Sequence, residues 1–463
     1  MTQPAADALL RRVRRLSRQD VTDRLHAVRA LSGIRGLRYI DDLGRPRTIE
    51  LALVPWLLSP AQLAFFQRIA RDVLDALLRI PSLYAKHPSL REILQLDPAQ
   101  ESWIRLASHP RSRPWAVMGR LDSTAVFEHA HWQRRFELLE PNAVGVGGVH
   151  YAPTACSIIH ETLGDVMAEA FPGRRVVPTP DPRRLLTDEL AGLSKRLGRP
   201  LRRIALVENS DFTTGTDEFL SLACHYNQNG LQAIVADPRE IRVAGGRLTV
   251  RGLEVDLLYR DCELNEFVQM EQDGKPLTGL RAAIRDGRMV SGLLWEFDHK
   301  SCWEILTDPT YAGAFTPRQR RLFRDYLPWT RLVRATKTFD PKHRLVDLPD
   351  YIRQHRRELV LKPNTLYGGQ GVAVGHAVTQ HTWERTLAKA LRGPEPYVVQ
   401  SLARIATHRF PRLEDGGVHE VERRVVSGFF FTSSEIGLVG RFSKDPVVNV
   451  SRGGGLVAAF LVS

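Results

Sequence analysis

The feature that most constrains this chain is residues 359–375, with the sequence LVLKPNTLYGGQGVAVG. The pattern predicts an apolar strand that carries Lys362, a glycine-rich turn and a second strand. Backbone N–H groups bared by glycines can surround phosphate oxygens, and a lysine beside them adds a positive charge. Only nine of the 65 basic residues are lysine, so a lysine in such a strand is a specific feature of this sequence.

The same segment has a simpler interpretation as a β-hairpin. Glycines at 368, 369 and 371 supply the positive φ angles that tight turns need. The spacing is not that of a Walker A loop, because no Gly-Lys-Ser/Thr follows the glycines. It also opens no helix, so a Rossmann dinucleotide site is disfavoured. From these residues alone, a structural hairpin and a phosphate-binding loop both stay open.

Length and composition are typical of a soluble protein with two or three domains. The chain has 463 residues, of which 43% are hydrophobic and 25% charged. No run approaches the ~20 apolar residues that span a bilayer, and the N-terminus lacks the apolar core of a signal peptide. The cysteines show no paired metal spacing. We therefore expect a cytoplasmic protein without structural disulfides or zinc.

The formal net charge of +13 fits three kinds of partner: nucleic acid, anionic lipid or a polyanionic small molecule. The densest basic cluster, Arg11 to Arg15, falls on an expected amphipathic helix, where a solvated face is the simpler explanation. Aromatic residues are not interleaved with it as single-strand binding requires. The sequence thus predicts no membrane partner, disfavours nucleic acid and does not indicate an oligomeric state.

Changes of pattern divide the chain into four segments. Residues 1–115 are mostly helical, with apolar residues at helical spacing in 1–32. Residues 116–200 carry few motifs. Residues 201–299 alternate strands and helices as small parallel α/β domains do, with polar side chains at the strand ends, where ligands gather. Residues 300–463 hold the lysine strand, one helix and then antiparallel strands.

Several segments, in order, resemble the circularly permuted (type 2) ATP-grasp family related to glutathionylspermidine synthase. The resemblance covers roughly residues 115–463 and includes Arg441. The matching segments are 139–142 (LEPN), 259–261 (YRD), 279–290 (GLRAAIRDGRMV), 359–375, 397–400 (YVVQ) and 447–455 (VVNVSRGGG). It implies an α/β (α+β) fold, in which an ATP-grasp nucleotide domain at 300–463 follows a pre-ATP-grasp domain at 201–299 and a substrate-side segment at 116–200.

The resemblance also implies an activity. ATP and Mg²⁺ would serve to join a small-molecule or peptide carboxylate to an amine through an acylphosphate. Cations would stabilise the transferring phosphoryl group. The expected ATP-binding residues are Lys300, Lys362, Gly368, Gly369, Gln370, Gly371, Val399 and Gln400, the last two along the adenine edge. Lys300 could instead be a surface lysine at a helix start, and Gln400 the polar end of a core strand.

Catalytic and metal-binding residues follow from the same resemblance. Arg441 would hold the phosphoryl group, and Arg260 would add a cation at a strand end. Asn449 resembles the family's amide ligand for magnesium. Because Val447 stands where most members have glutamate, the carboxylates are expected from Glu420 and Glu422, with Asp445 behind them. A surface position is the simpler explanation for an arginine in so arginine-rich a chain.

Substrate recognition is expected across the cleft from ATP. The residues expected there are Asp122, Glu140, Asn142, Asp261, Gly453 and Gly454. Acid and amide side chains can bind an amine, and glycines let backbone approach a substrate. Aspartate and asparagine also cap helices and satisfy turns, which is their commoner role.

The sequence features fit three functions. A carboxylate–amine ligase releases ADP and phosphate only when both acid and amine are present. A nucleotide-binding scaffold, favoured by Val447 in place of glutamate, binds ATP without consuming it. A nucleic-acid-binding protein, suggested only by charge, binds random DNA with steep salt dependence that ATP does not alter. The sequence predicts the ligase and does not indicate which acid or amine it uses.

Overall fold

The computed structural model describes residues 3–41, 43–107, 116–124, 127, 129, 131–211, 215–366, 368–414, 416–450 and 453–463. Helices and several sheets alternate through these ranges, as the predicted α/β class requires. No helix within them combines the length and the apolar composition that crossing a bilayer would need.

The N-terminal region is helical with short strands between. Serines begin two of its helices: Ser17 and Asp20, and Ser59 and Gln62, form reciprocal capping boxes. Its elements are α1 (Gln3–Val13), α2 (Arg18–Ile34), β1 (Arg38–Ile40), β2 (Pro46–Thr48), β3 (Glu50–Leu51), β4 (Trp56–Leu58), α3 (Pro60–Leu77), α4 (Ile80–Lys86), α5 (Ser89–Leu94) and α6 (Pro98–Ala107).

The middle of the chain contains two polar strands and the small α/β unit. Its first elements are β5 (Gly119–Thr124), β6 (Leu138–Asn142), α7 (Tyr151–Ala170), β7 (Val176–Pro178) and α8 (Pro182–Leu197). The α/β unit follows with β8 (Arg203–Val207), β9 (Gly215–Thr216), α9 (Phe219–Gln228), β10 (Gln232–Ala236), β11 (Ile241–Ala244), β12 (Arg247–Val250), β13 (Leu253–Glu254), β14 (Leu257–Arg260), α10 (Leu264–Gln272), α11 (Thr278–Arg285) and β15 (Met289–Val290). Strands β10, β8, β14 and β15 pair in parallel, as the strand–helix rhythm predicts.

The C-terminal part begins with α12 (Cys302–Thr307) and α13 (Pro317–Tyr326). Its next elements are β16 (Thr330–Leu332), β17 (Lys337–Phe339), β18 (Leu345–Asp347), α14 (Leu348–Gln354), β19 (Leu359–Pro363), β20 (Ala373–Val374), α15 (Gln380–Arg392) and β21 (Tyr397–Ser401). The chain ends with β22 (Ala406–Glu414), β23 (Gly417–Phe431), β24 (Ile436–Ser443), β25 (Gly455–Val457) and β26 (Ala459–Val462). Strands β16, β21, β19 and β20 form one sheet in that order, with a separate apolar core that includes Trp329 and Trp383.

The largest sheet joins segments that are distant in sequence. Its order is β3-β25-β24-β23-β5-β6, and β22 pairs with β23. The boundaries expected at 116 and 300 therefore do not separate independent sheets: strands from the N-terminal region, the 116–200 segment and the C-terminal part share one ladder. Short-range patterns of apolar residues do not encode such long-range pairing.

Candidate functional site

Four polar residues of β5 and β6 lie on one face of the large sheet. The two strands are antiparallel, with Asp122 opposite Glu140 and Arg120 opposite Asn142. Because side chains two positions apart share a face of a strand and cross-strand partners are neighbours, all four project on the same side. The sequence predicted Asp122, Glu140 and Asn142 as site residues, and the structure brings them together.

Asp122 is buried between two arginines. Its carboxylate accepts from Arg120 Nε at 2.7 Å, and Arg441 Nη2 lies 2.8 Å from its other oxygen. Burial alone would raise the pKa of Asp122, but the two guanidinium groups outweigh it and lower the pKa to about 2. Arg441, predicted as a phosphoryl-binding cation, is thereby fixed beside the β5–β6 face. Its Nε is buried and has no hydrogen-bond partner in the described part of the chain.

Glu140 lies between the two predicted phosphate-binding lysines. Its carboxylate is 3.8 Å from Lys300 Nζ and 4.0 Å from Lys362 Nζ. Each lysine makes a shorter bond elsewhere: Lys300 donates to the carbonyl of Leu366 at 2.8 Å and Lys362 to Gln400 Oε1 at 2.8 Å. Two cations from separate segments therefore converge on one point, which a carboxylate occupies here.

The environment of Lys362 is mostly enclosed by protein. Burial lowers its pKa; Glu140 opposes that change, and the neighbouring Lys300 adds to it. An anion placed between the lysines would favour their charged forms and gain from the low local dielectric. The arrangement is chemically suited to binding the oxygens of a phosphate group.

The glycine-rich loop joins two paired antiparallel strands, which confirms the predicted strand–turn–strand arrangement and is compatible with both a purely structural hairpin and a phosphate-binding loop. Val360 pairs with Val374 and Leu361 with Ala373. Gly369 has a φ of +71°, and a Cβ there would lie 2.4 Å from Val447 Cγ1. The loop therefore packs on the segment that carries Asn449, and a side chain at 369 would separate the two. Phosphate binding by Gly368, Gly369, Gln370 and Gly371 stays a prediction.

The structure does not leave an edge for adenine at Val399 and Gln400. Strand β21 is central in its sheet, with β16 on one side and β19 on the other. Val399 is opposite both Arg331 and Leu361, and Gln400 is similarly flanked. The hinge role expected for Val399 and Gln400 is therefore corrected. The three-residue strand β16, which the sequence did not predict, covers that edge of β21.

Arg260 is also corrected. It is 0% exposed, and protein groups use its guanidinium. Its guanidinium donates to the carbonyls of Ser291 and Cys262 and to the carboxylate of Glu296. The Arg260 guanidinium at the end of β14 thus points into the protein, where its hydrogen bond to the Cys262 carbonyl holds the segment that follows the strand. Sequence position alone could not distinguish the inward from the outward orientation.

We expect Arg260→Met to reduce the free energy of unfolding by about 3–5 kcal/mol, because the buried Glu296 carboxylate loses its partner. ATP affinity of the folded protein should not change. Chemical denaturation and ATP titration of the same preparation measure the two quantities. Normal stability with lost ATP binding would return Arg260 to the catalytic residues.

Carboxylates cluster near the carboxyl end of β14. Burial raises the pKa of Asp261 to about 6 and that of Asp298 to about 7. Burial also raises the pKa of Glu263 well above its usual value, with added repulsion from Glu296 and Asp298. Asp261 was predicted, whereas Glu263 and Asp298 were not. The sequence signal that could have indicated Glu263 is its position two residues after Asp261, just beyond the end of β14.

Part of this cluster lines a small cleft beside Lys300. Asn142, Glu263, Asp298 and Asn364 contribute polar atoms to its wall. Asn364 is 1% exposed, and its Nδ2 has no hydrogen-bond partner among the described residues. The cleft thus offers carboxylates, one ammonium and one unused amide donor.

The expected metal ligands do not converge. Glu420 and Glu422 are exposed on β23, where they pair opposite Pro411 and Arg409 of β22. Glu422 lies six positions from Gly428, the partner of Asp122, which is about 20 Å along an extended strand. Within the described ranges no group of three or more His, Cys, Asp or Glu side chains could hold a metal ion.

The C-terminal glycines close a turn against Asn449. The N–H of Gly454 donates to the Asn449 carbonyl at 3.1 Å, and a Cβ at Gly454 would lie 2.4 Å from that oxygen. Gly453 is exposed beside it. A substrate role for the two glycines stays a prediction.

Comparison with known proteins finds a likeness of structure but none of sequence. No protein-family model matches the chain, and no curated protein matches it. Among solved structures, a glutathione synthetase-like effector (GSS30) from Globodera pallida in its apo form has a TM-score of 0.62 and 11% identity, covering 96% of this chain and 98% of that chain. A putative gamma-glutamylcysteine synthetase from Methylobacillus flagellatus KT has 11% identity and a TM-score of 0.39, covering 88% of this chain and 89% of that chain, too low to support an argument.

The likeness to the first structure shows the fold. This chain shares, over nearly its whole length, the architecture of a glutathione synthetase-like protein. The fold does not by itself show an activity, since one fold supports several functions and the residues of the site distinguish between them.

Proposed function

We propose that the protein is an ATP-grasp ligase that joins a carboxylate to an amine through an acylphosphate. The observation that carries the proposal is the convergence of Lys300 and Lys362 on one carboxylate, that of Glu140. The synthetase-like fold supports it. The type 2 subclass rests on the resemblance of short segments, since no family model or curated protein matches the sequence. The reaction rests on the residues of the site.

The phosphates of ATP would bind between the two lysines. There they would replace Glu140 as the anion shared by both ammonium groups, with the 368–371 loop covering them from β19 and β20. Arg441, held by Asp122, supplies a fixed guanidinium at the far side of the same face. A forked donor there can hold a phosphoryl group or an oxyanion.

Magnesium binding is best supported on the β5–β6 face. Glu140 contributes a carboxylate and Asn142 an amide on that face, whereas both oxygens of the neighbouring Asp122 are held by Arg120 and Arg441. Magnesium usually takes one or two protein carboxylates and completes its shell with phosphates and water, so this donor set fits the ion. Asn449 stays a candidate amide ligand from the loop side. When bound with ATP, magnesium would offset the negative charge of the phosphates.

The acidic cleft beside Lys300 would receive the amine. A bound ammonium group would favour the charged forms of Glu263 and Asp298 against the burial that raises their pKa values, and carboxylates of raised pKa are suited to accept its proton before attack. Asp261 lies behind them at the same strand end. The cleft adjoins Asn142 and Lys300, so an amine held there would be next to the phosphate position.

We expect Glu263→Gln to raise KM for the amine about tenfold while leaving KM for ATP unchanged, because one charge-assisted contact is lost. Steady-state kinetics with each substrate varied in turn measure this. Asp273→Asn, exposed at the other end of α10, is the matched control. A rise in KM for ATP alone would contradict the placement of the amine.

The function is tested by phosphate release. Purified protein with magnesium–ATP is incubated with pools of carboxylates, pools of amines, and both together. The ligase predicts ADP and phosphate only when both pools are present. Release with neither pool, or with DNA alone, would reject it.

A nucleotide-binding scaffold is the second candidate. Val447 packs on Gly369, so an apolar side chain occupies the place beside the loop where the ATP-grasp pattern has glutamate. A scaffold predicts ATP binding in the titration with no phosphate release under any pool.

A further inference from the structure

The side chain of Gln400 is enclosed and joins three elements of the fold. It is 1% exposed. Its Nε2 donates to Thr330 Oγ1 at 2.9 Å and to the carbonyl of Leu139 at 3.2 Å. Its Oε1 accepts from Lys362 Nζ at 2.8 Å. One amide thus connects β16, the strand that carries Glu140, and the lysine strand.

Thr330 and the carbonyl of Leu139 together determine which way that amide faces. The threonine hydroxyl donates to the carbonyl of Pro328 at 2.9 Å, so its single proton is used and it can only accept from Gln400. If the amide were reversed, its oxygen would face two acceptors, and its NH₂ group would face the Lys362 ammonium. The hydrogen bonds therefore allow one orientation, with the acceptor directed at Lys362.

A neutral acceptor has a specific advantage at this position. It holds the Lys362 ammonium without cancelling its charge, whereas a glutamate would form an ion pair and compete with an incoming phosphate. The other charged groups near Lys362 are Glu140, Lys300 and Asp122. Gln400 adds no further charge to that balance, and so the lysine stays available to an anion.

We propose that Thr330 is a positioning residue for ATP: through Gln400 it directs the Lys362 ammonium at the anion position between the two lysines. Thr330 is 0% exposed, so it would act through Gln400 and not by touching ATP. The inference rests on the proposed function and adds to it a residue that the sequence patterns did not indicate.

The test compares Thr330→Val, which removes the hydroxyl at constant shape, with Thr330→Ser, which keeps it. Magnesium–ATP is titrated calorimetrically into each variant, and stability is measured in parallel. We expect the valine variant to bind about tenfold more weakly and the serine variant within about twofold of the parent. Thr162→Val, which removes a buried hydroxyl of α7 that donates to the carbonyl of Ile158 at 2.8 Å, should leave binding unchanged.

Two further variants make the result decisive. Gln400→Glu should also weaken ATP binding about tenfold, and Thr330→Val should add less than a twofold loss in a Lys362→Met background, because its effect passes through the lysine. Equal losses in the valine and serine variants, or a full loss added to Lys362→Met, would overturn the positioning role. If Lys362→Met weakens ATP binding and Thr330→Val does not, only this inference fails; if the parent does not bind ATP, the proposed function fails as well.

Discussion

Lys362→Met is expected to weaken magnesium–ATP binding by about a hundredfold, the largest functional effect in this protein. The methionine keeps the apolar stem but removes the ammonium that would pair with the phosphates, and a charge-assisted contact of this kind contributes about 3 kcal/mol. Calorimetric titration of parent and variant measures the dissociation constants directly.

The control for this substitution must separate lost charge from lost fold. Removing Lys362 also leaves Gln400 Oε1 without its donor, which costs about 1–3 kcal/mol of stability, so circular dichroism and thermal unfolding accompany the titration. Lys389→Met, an exposed lysine of α15, should bind ATP as the parent does. A folded Lys362→Met protein with parental affinity would show that the phosphates bind elsewhere.

Asp122→Asn is expected to lower the free energy of unfolding as much as Arg260→Met does. The substitution leaves Arg120 and Arg441 buried and facing each other across a neutral amide. Breaking a buried ion pair from one side costs about 3–5 kcal/mol. Urea unfolding at neutral pH measures the loss. Asp188→Asn, whose pair with Arg184 is half exposed, should cost at most about 1 kcal/mol.

The same variant gives a pH test with a definite sign. The pKa of Asp122 is lowered to about 2 in the folded protein, against about 3.9 in an unfolded chain. A lowered carboxyl pKa contributes stability above the unfolded value, here roughly 2–3 kcal/mol, and loses it as the pH falls from about 4 to about 2. The stability gap between parent and Asp122→Asn should therefore narrow over that range. A constant gap would show that the carboxylate charge is not what stabilises the pair.

Much of the site was predictable because its parts are local in sequence. The strand with Lys362, the glycine turn and the strand after it follow from apolar patterning and glycine conformations, and the structure confirms that hairpin. Glu140 was identified by the resemblance of a short segment, and Lys300 by its position in the family's order of residues. Their convergence on one point is a tertiary fact that no pattern states.

What could not be predicted depends on long-range pairing and on side-chain direction. Glu420 and Glu422 were expected at the metal because they lie on the strand before Asn449. They fall in the first part of β23, which pairs with β22, whereas β5 pairs with the later part, from Val426 onwards. Arg260 ends a strand as a ligand-binding cation would, yet it points into the core. Thr330 carries no motif, and only the geometry of its hydroxyl indicates a role.

The central claim, that this chain activates a carboxylate with the γ-phosphoryl group of ATP, is tested most directly by the source of oxygen in the released phosphate. The reaction is run in ¹⁸O-water with unlabelled acids and amines, and the phosphate is analysed by mass spectrometry. Formation of an acylphosphate predicts phosphate that carries no ¹⁸O, because its extra oxygen comes from the carboxylate. Phosphate labelled with one ¹⁸O would mean that water attacks ATP, which would contradict the ligase.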